Sequence, residues 1–154
     1  MNNVLMESVI KATKEIIRSA VGGSVSNAPP AEGTHDEASS GISVEIAMIG
    51  SIQGAIVFNS SIDVAARMAS RMLGVSVDEG SADMQDAVAE ILNMIIGSAK
   101  TFYSKEADPF SFSVPTTIMG NSYTLHIKPD GKNSLSVINF QGAEGSFQIE
   151  VFEN

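Results

Sequence analysis

Asp86, Glu90, Asn93 and Gly97 stand at spacings of four, three and four in the segment DAVAEILNMIIG. At about 100° per residue they fall within roughly 60° of arc, on one stripe of a helix. A carboxylate is thereby presented one helical turn from a carboxamide. The carboxamide offers an acceptor and two donors without charge, so it can orient a water beside an anion. A solvated helix face also carries polar residues, and the chain's own usage makes about 0.6 Glu-x-x-Asn pairs expected by chance. Adding Asp four residues before and Gly four after lowers that to the order of 0.003, so the combination carries information that the pair does not. Gly97 is a second anomaly, since glycine inside a helix costs about 1 kcal/mol relative to alanine and usually has a packing or access reason.

The element that must hold this stripe is a long amphipathic helix. Met84, Val88, Ile91, Leu92, Ile95, Ala99 and Phe102 gather on the opposite side, which gives it a packing face and a face left for solvent or a partner. Ser81 or Asp83 can cap it, and it is expected to run to about Ser104. Upstream, Leu5, Val9, Ala12, Ile16 and Ala20 predict a first helix over residues 3–20, ended by Gly22-Gly23. Residues 22–41, rich in Gly, Pro and Ser, read as a flexible connection. They lack the Gly-Lys-Ser/Thr ending of a phosphate-binding loop.

Residues 42–49 and 52–58 predict a hairpin about Gly50-Ser51, a pair suited to a type II′ turn. Ser60 or Ser61 can cap a second helix through Met72, stopped by Gly74. Met68 and Met72 lie at helical spacing within it and are read as core. Asp108-Pro109 breaks the chain. Four extended segments follow at 113–119, 122–127, 134–140 and 146–152, separated by turn signals at Gly120-Asn121, 129–132 and 142–145. The sum is an α+β domain over 1–154 in which helices cover one face of a mostly antiparallel sheet.

Composition narrows the function classes. A chain of 154 residues with 44% hydrophobic content is long enough for one domain with a real core. A net charge of −9 argues against nucleic-acid and anionic membrane partners, and favours a basic patch on a partner. The absence of cysteine excludes disulfides and thiol chemistry and suits a reducing cytoplasm. The N-terminal segment has no continuous apolar run of the secretory kind, and no stretch is long and apolar enough to span a bilayer. His35 and His126 are the only histidines, and neither has a second ligand at metal spacing. No serine lies in a Gly-x-Ser-x-Gly elbow. Asp63 begins a helix, where it suits the positive end of the dipole.

The order of elements and the motif Asp86-x-x-x-Glu90-x-x-Asn93-Met94-x-x-Gly97 resemble the CheX family of bacterial chemotaxis phosphatases, within the wider CheC, CheX and FliY group. Ile52-Gln53-Gly54-x-Ile56, Arg71-Met72-Leu73-Gly74 and Val114-Pro115-Thr116-Thr117-Ile118-x-Gly120 extend the resemblance over nearly the whole chain. Members of the CheC kind carry two Glu-x-x-Asn helices. Here the first helix offers only Glu7-x-x-Ile10 and Glu15-x-x-Arg18, so a single active helix looks like CheX.

The resemblance implies a CheC/CheX-like fold with the active motif on the long central helix. It implies dephosphorylation of a phosphorylated CheY-type response regulator, with Asn93 placing a water in line and Glu90 contacting the regulator's lysine. No cofactor is expected on this chain; Mg²⁺ is expected on the partner. Residue chemistry agrees, because a carboxylate at 93 would repel phosphoryl oxygens, and an amide orients water as a glutamine does in small GTPases. Asp86 is left with two roles, lining the interface or supporting the helix start, and Gly97 with admitting the partner closely. A homodimer joined through its sheets and a cytoplasmic location are further implications. The alternative from another class is a non-catalytic module that docks to or sequesters a signalling protein. A small-molecule enzyme would lack a nucleophile, base or metal cluster.

Overall fold

The computed structural model describes residues 2–33, 39–103, 110–124 and 134–154. Helix α1 spans Asn3–Ile16, and the Asn2 side chain caps it by accepting from the Leu5 amide at 3.0 Å. Its buried positions Leu5, Val9, Thr13, Ile17 and Val21 recur every four residues. In an α-helix that spacing drifts by about 40° per step. The wider π turn over Ile17–Val21, closed by the Gly22 amide on the Ile17 carbonyl at 2.8 Å, turns the row back toward the core. The expected helix over 3–20 is thus present, with a change of winding near its end that apolar spacing had not marked.

Among the described residues eight strands follow in one sheet: β1 (Ser26–Asn27), β2 (Ala31–Glu32), β3 (Ser39–Gly50), β4 (Gly54–Ser60), β5 (Phe110–Phe112), β6 (Thr116–Tyr123), β7 (Ser134–Gly142) and β8 (Gly145–Glu153). The order is β1-β7-β8-β4-β3-β5, with β2 also on β7 and β6 also on β3, and every pairing is antiparallel. Helix α2 (Ile62–Leu73) lies between β4 and helix α3 (Ala82–Tyr103) in sequence. Ser61 caps α2, its Oγ accepting from the Val64 amide, and Gly74 ends it in the left-handed conformation. Asp63 occupies the first turn and pairs with Arg67 at 3.1 Å; hydrogen bonds from Ser61 and then Arg67 hold its carboxyl below the usual range. Its structural reading stands.

Alternate residues of the strands make the core. Ile42, Val44, Ile46 and Met48 of β3 meet Ile56 and Phe58 of β4, Ile138 and Phe140 of β7, and Phe147, Ile149 and Val151 of β8. Phe147 stacks against both Phe58 and Phe140, with centroids 5.4 and 5.1 Å apart. All three helices bury their apolar faces against this one side. Met68 is buried there and Met72 packs against it, as expected of core methionines. Among the described residues no helix is long and apolar enough to cross a membrane.

Three local expectations are corrected. The hairpin joining β3 to β4 is present, but not as a two-residue turn at Gly50-Ser51. β3 continues through Gly50 because Ile49 and Gly50 pair with Ser111 and Phe110 of β5, and Ile52 turns into the core. Gly120-Asn121 is not a turn either: β6 runs straight through it. The register against β3 shifts between Ser39 and Gly41, so the glycine marks a bulge. Residues 22–41, expected as a flexible connection, contain β1 and β2, which extend along β7 with Asn27 opposite Phe140 and Ala31 opposite Val137. The 142–145 turn is as expected, with Gly142 opposite Gly145. Ser104, the break at Asp108-Pro109, the end of the expected 122–127 strand, the turn at 129–132, His35 and His126 lie outside the described residues.

One acid in the sheet titrates against the fold. Burial raises the Glu153 carboxyl above its ordinary 4.5, opposed only in part by the N-terminal amine. Its Oε1 is buried without a hydrogen-bond partner. The native state therefore holds this proton more tightly than the unfolded chain. The resulting stabilisation is present at pH below 4.5 and is lost as pH rises through the raised value. Glu153→Gln is expected to unfold at higher temperature than the parent at pH 7, the gap closing as pH falls toward 4. A gap of constant size across that range in thermal melts would sink this assignment.

Candidate functional site

Helix α3 starts where Ser81 Oγ accepts from the Met84 amide at 3.2 Å, which selects Ser81 over Asp83 as its cap. Gln85 Nε2 donates back to the Gly80 carbonyl at 3.3 Å, so the entry turn is tied to the helix it precedes. Met84, Ala87, Val88, Ile91, Leu92, Ile95, Ile96 and Ala99 are buried. That set includes the expected apolar face except Phe102, which is half-buried against the core, and adds Ala87 and Ile96 at its borders. The widening has a plain cause, since α3 packs against α1 and α2 as well as the sheet. What stays outside is a narrow strip.

Asp86 and Glu90 are exposed on that strip, and Asn93 and Gly97 are half-buried. Glu90 and Asn93 are three residues apart on a regular helix, which sets their Cβ atoms about 5–6 Å from each other. Among the described residues, none of the Asp86, Glu90 and Asn93 side chains makes a hydrogen bond or ion pair within the chain. By contrast Ser43, Asn59, Tyr123 and Glu150 on the sheet are bonded to one another. The stripe therefore offers two uncommitted carboxylates and an uncommitted amide. Their helix packs against two other helices and a sheet, so the backbone from which the three side chains project is fixed before any partner arrives.

The strip extends beyond the motif. Asp83 continues it upstream, and Thr101 downstream donates its hydroxyl to the Gly97 carbonyl at 3.3 Å. Both are exposed, and both could be found in the sequence by continuing the same three- and four-residue steps. Beside them the Lys11 ammonium of α1 lies 4.2 Å from the centre of the Phe102 ring, which joins α1 to the end of α3. α1 presents no matching amide, having Ile10 and Arg18 where a second Glu-x-x-Asn pair would place one.

Gly97 has no internal reason to be glycine. Its backbone is not in the positive-φ region, and a Cβ built there would meet nothing within 4 Å. The packing explanation open at the sequence level is removed, and the helix carries glycine's cost of about 1 kcal/mol without return inside the chain.

The chemistry available is that of a convex helix face: an amide that can hold a water, and carboxylates that can meet a cation.

Comparison with known proteins bears on what meets that face. No curated protein sequence matches the chain. Among solved structures it is similar to a CheC-like superfamily protein from Shewanella sp. PV-4, with a TM-score of 0.88 at 21% identity, covering 100% of this chain and 99% of that one. The chemotaxis protein CheX from Desulfovibrio desulfuricans gives 0.85 at 24% identity, over 97% and 99%. CheX from Borrelia burgdorferi, solved in complex with CheY, BeF₃ and Mg²⁺, gives 0.77 at 20% identity, over 97% of each chain. Residues 42–141 match the sequence model of the family described as chemotaxis phosphatase CheX. Because that match takes in the first long hairpin, α2, the whole of α3 and most of β7, the chain belongs to the CheX chemotaxis phosphatase family.

Proposed function

We propose that this protein accelerates hydrolysis of the aspartyl phosphate on a CheY-type response regulator, Asn93 placing the attacking water and Glu90 holding the regulator. The observation that carries the reading is the uncommitted Asn93 amide one turn from the uncommitted Glu90 carboxylate, on the outer face of α3 and inside the family match. Beryllium trifluoride stands in for a phosphoryl group, so the Borrelia relative bound to CheY with BeF₃ and Mg²⁺ supplies the partner class by analogy.

On this reading the partner brings the phosphoryl group, Mg²⁺ and the electrophile, and this chain brings position. The Asn93 amide donates to or accepts from a water and directs it along the line opposite the leaving aspartate oxygen. Being uncharged, it does so without repelling the phosphoryl oxygens. The Glu90 carboxylate pairs with a lysine of the regulator, which fixes the depth and angle of the helix. Asp86 and Asp83 continue the negative strip toward the helix start, in keeping with a basic rim on the partner. The same reading carries a cytoplasmic location and a homodimer. β5 and β6 sit at a sheet edge whose outer side is unpaired among the described residues, which leaves room for a strand of a second copy.

Phosphate release from phosphorylated receiver domains in the presence of Mg²⁺ tests the reading. Acceleration by the wild-type protein is expected, and none across the cognate receivers would overturn it. Glu90→Lys is expected to weaken the complex with a beryllofluoride-loaded receiver tenfold or more, roughly 1.4 kcal/mol, by setting two cations against each other. Unchanged affinity would take Glu90 out of the interface. Tight binding without turnover, indifferent to the amide of Asn93, would instead make the protein a sequestering module.

A further inference from the structure

Of the thirteen glycines in the chain, Gly97 is the only one inside a described helix. The other described glycines lie at turns, caps, strands or connections. Gly97 sits in α3 with an ordinary helical backbone, and the space where its Cβ would stand is empty to 4 Å. Neither conformation nor packing asks for glycine, so the requirement comes from outside the chain.

Helix geometry says what a side chain at 97 would obstruct. The Cα–Cβ bonds of an α-helix tilt toward its N-terminus, and a side chain covers the turn before its own Cα. At position 97 that turn is the one bearing Asn93 and Met94. A side chain at 97 that extends beyond Cβ projects along the flank of the Asn93 amide.

The surroundings of the vacancy are arranged to leave it open. Its surface neighbours at three and four residues are Asn93, Met94, Lys100 and Thr101. Met94 is half-buried and packs against the core, and the Lys100 ammonium lies toward the Phe110 and Phe112 rings, 6.0 and 5.9 Å from their centres. Thr101 turns its hydroxyl down onto the Gly97 carbonyl. The result is a bare patch of helix backbone beside the amide, with its carbonyl already satisfied by the helix and by Thr101. Such a patch accepts close van der Waals approach and asks for no polar group in return.

We infer that Gly97 is a positioning residue: the receiver's polypeptide rests directly on the helix backbone at Gly97, and this contact sets how far the Asn93 amide reaches toward the phosphoryl group. The inference deepens the phosphatase reading and rests on it. Gly97 touches no reacting atom; it acts by letting the partner settle close enough for Asn93 to do so. Bulk at 97 lifts the receiver off the helix, and the amide then stops short of the water it must hold.

The experiment pairs stability with function in Gly97→Ala and Gly97→Leu. Both residues are better helix formers than glycine and a Cβ at 97 meets nothing within 4 Å, so each variant is expected to melt about 2–4 °C above the parent. Phosphate release from a phosphorylated CheY-type receiver is expected to fall severalfold for Gly97→Ala and a hundredfold or more for Gly97→Leu. Affinity for the beryllofluoride–Mg²⁺ receiver is expected to fall in the same order. Greater stability with graded loss of both is a pattern that a merely structural role would not give. If the wild type releases phosphate and Gly97→Leu matches it, the inference is overturned and the phosphatase reading stands. If the wild type binds the receiver without turnover and Gly97→Leu loses binding, the contact at Gly97 stands and the phosphatase reading falls. If the wild type does neither, both fall.

Discussion

Asn93→Ala is expected to lose about 100-fold or more of the phosphate-release rate while holding the loaded receiver within about threefold of wild-type affinity. The size follows from the role, since removing one donor that places or stabilises a reacting group typically costs 10²–10³ in rate, and a misplacement of about 1 Å costs a similar factor. Binding should survive because Glu90, Asp86 and the Gly97 surface are untouched. The fold should survive as well. The Asn93 side chain is half-buried and has no partner among the described residues, so truncation strands no buried group. Alanine is also the better helix former, by up to about 0.7 kcal/mol. A rate loss with unchanged melting temperature and affinity would then belong to the amide itself. Asn93→Asp sharpens the test, because it keeps the shape and adds a charge facing the phosphoryl oxygens, and it should be as poor as alanine. Single-turnover release with Mg²⁺ present decides the matter: retention of a third or more of the rate by Asn93→Ala would remove it from water placement.

The sequence made α3 legible and much of the sheet's detail illegible, for a physical reason. The pattern of α3 is local: Met84, Val88, Ile91, Leu92, Ile95 and Ala99 recur at the helix's own period, and the structure buries each of them. Asp86, Glu90, Asn93 and Gly97 are legible as one face by the same arithmetic. Ala87 and Ile96 were missed because they are buried by neighbouring elements, and nothing in the period of one helix announces how many partners it has. The sheet errors share that origin. Gly50-Ser51 and Gly120-Asn121 carry turn chemistry, yet β3 keeps Gly50 as its last paired residue and β6 runs through the second pair, because long-range pairing with β5 and with β3 outweighs local preference. β1 and β2 are two residues each, too short for any alternation to show, and owe their extended form to β7. At Gly97 the residue type was legible and its reason was not. Only the empty space around its missing Cβ separates access from packing.

Gly54→Ala is expected to have the opposite effect on the fold from Gly97→Ala, and a large one. Gly54 opens β4 opposite Glu153 of β8. A Cβ at this position would stand 1.8 Å from the Phe152 carbonyl oxygen and 2.8 Å from its carbon, with the Glu153 Cα at 3.1 Å. All three obstacles are backbone atoms of a paired strand, so no side chain can swing aside. Relief requires parting β4 from β8 at the centre of the sheet order, where β4 also carries β3. The backbone at φ +154 adds strain for any L side chain. Overpacking costs of about 1–3 kcal/mol and strain of about 1–3 kcal/mol together predict a loss of roughly 3–5 kcal/mol. That is a large part of the ~5–15 kcal/mol by which a domain is stable. Urea unfolding followed by circular dichroism measures it, with Gly97→Ala as the matched addition of one methyl. A loss below about 1 kcal/mol would mean that β4 and β8 do not approach this closely. The functional consequence runs through α3, which rests on β3 and β4. Under mild denaturant Gly54→Ala should lose phosphatase activity in step with its folded fraction, whereas Asn93→Ala loses activity with the folded fraction intact.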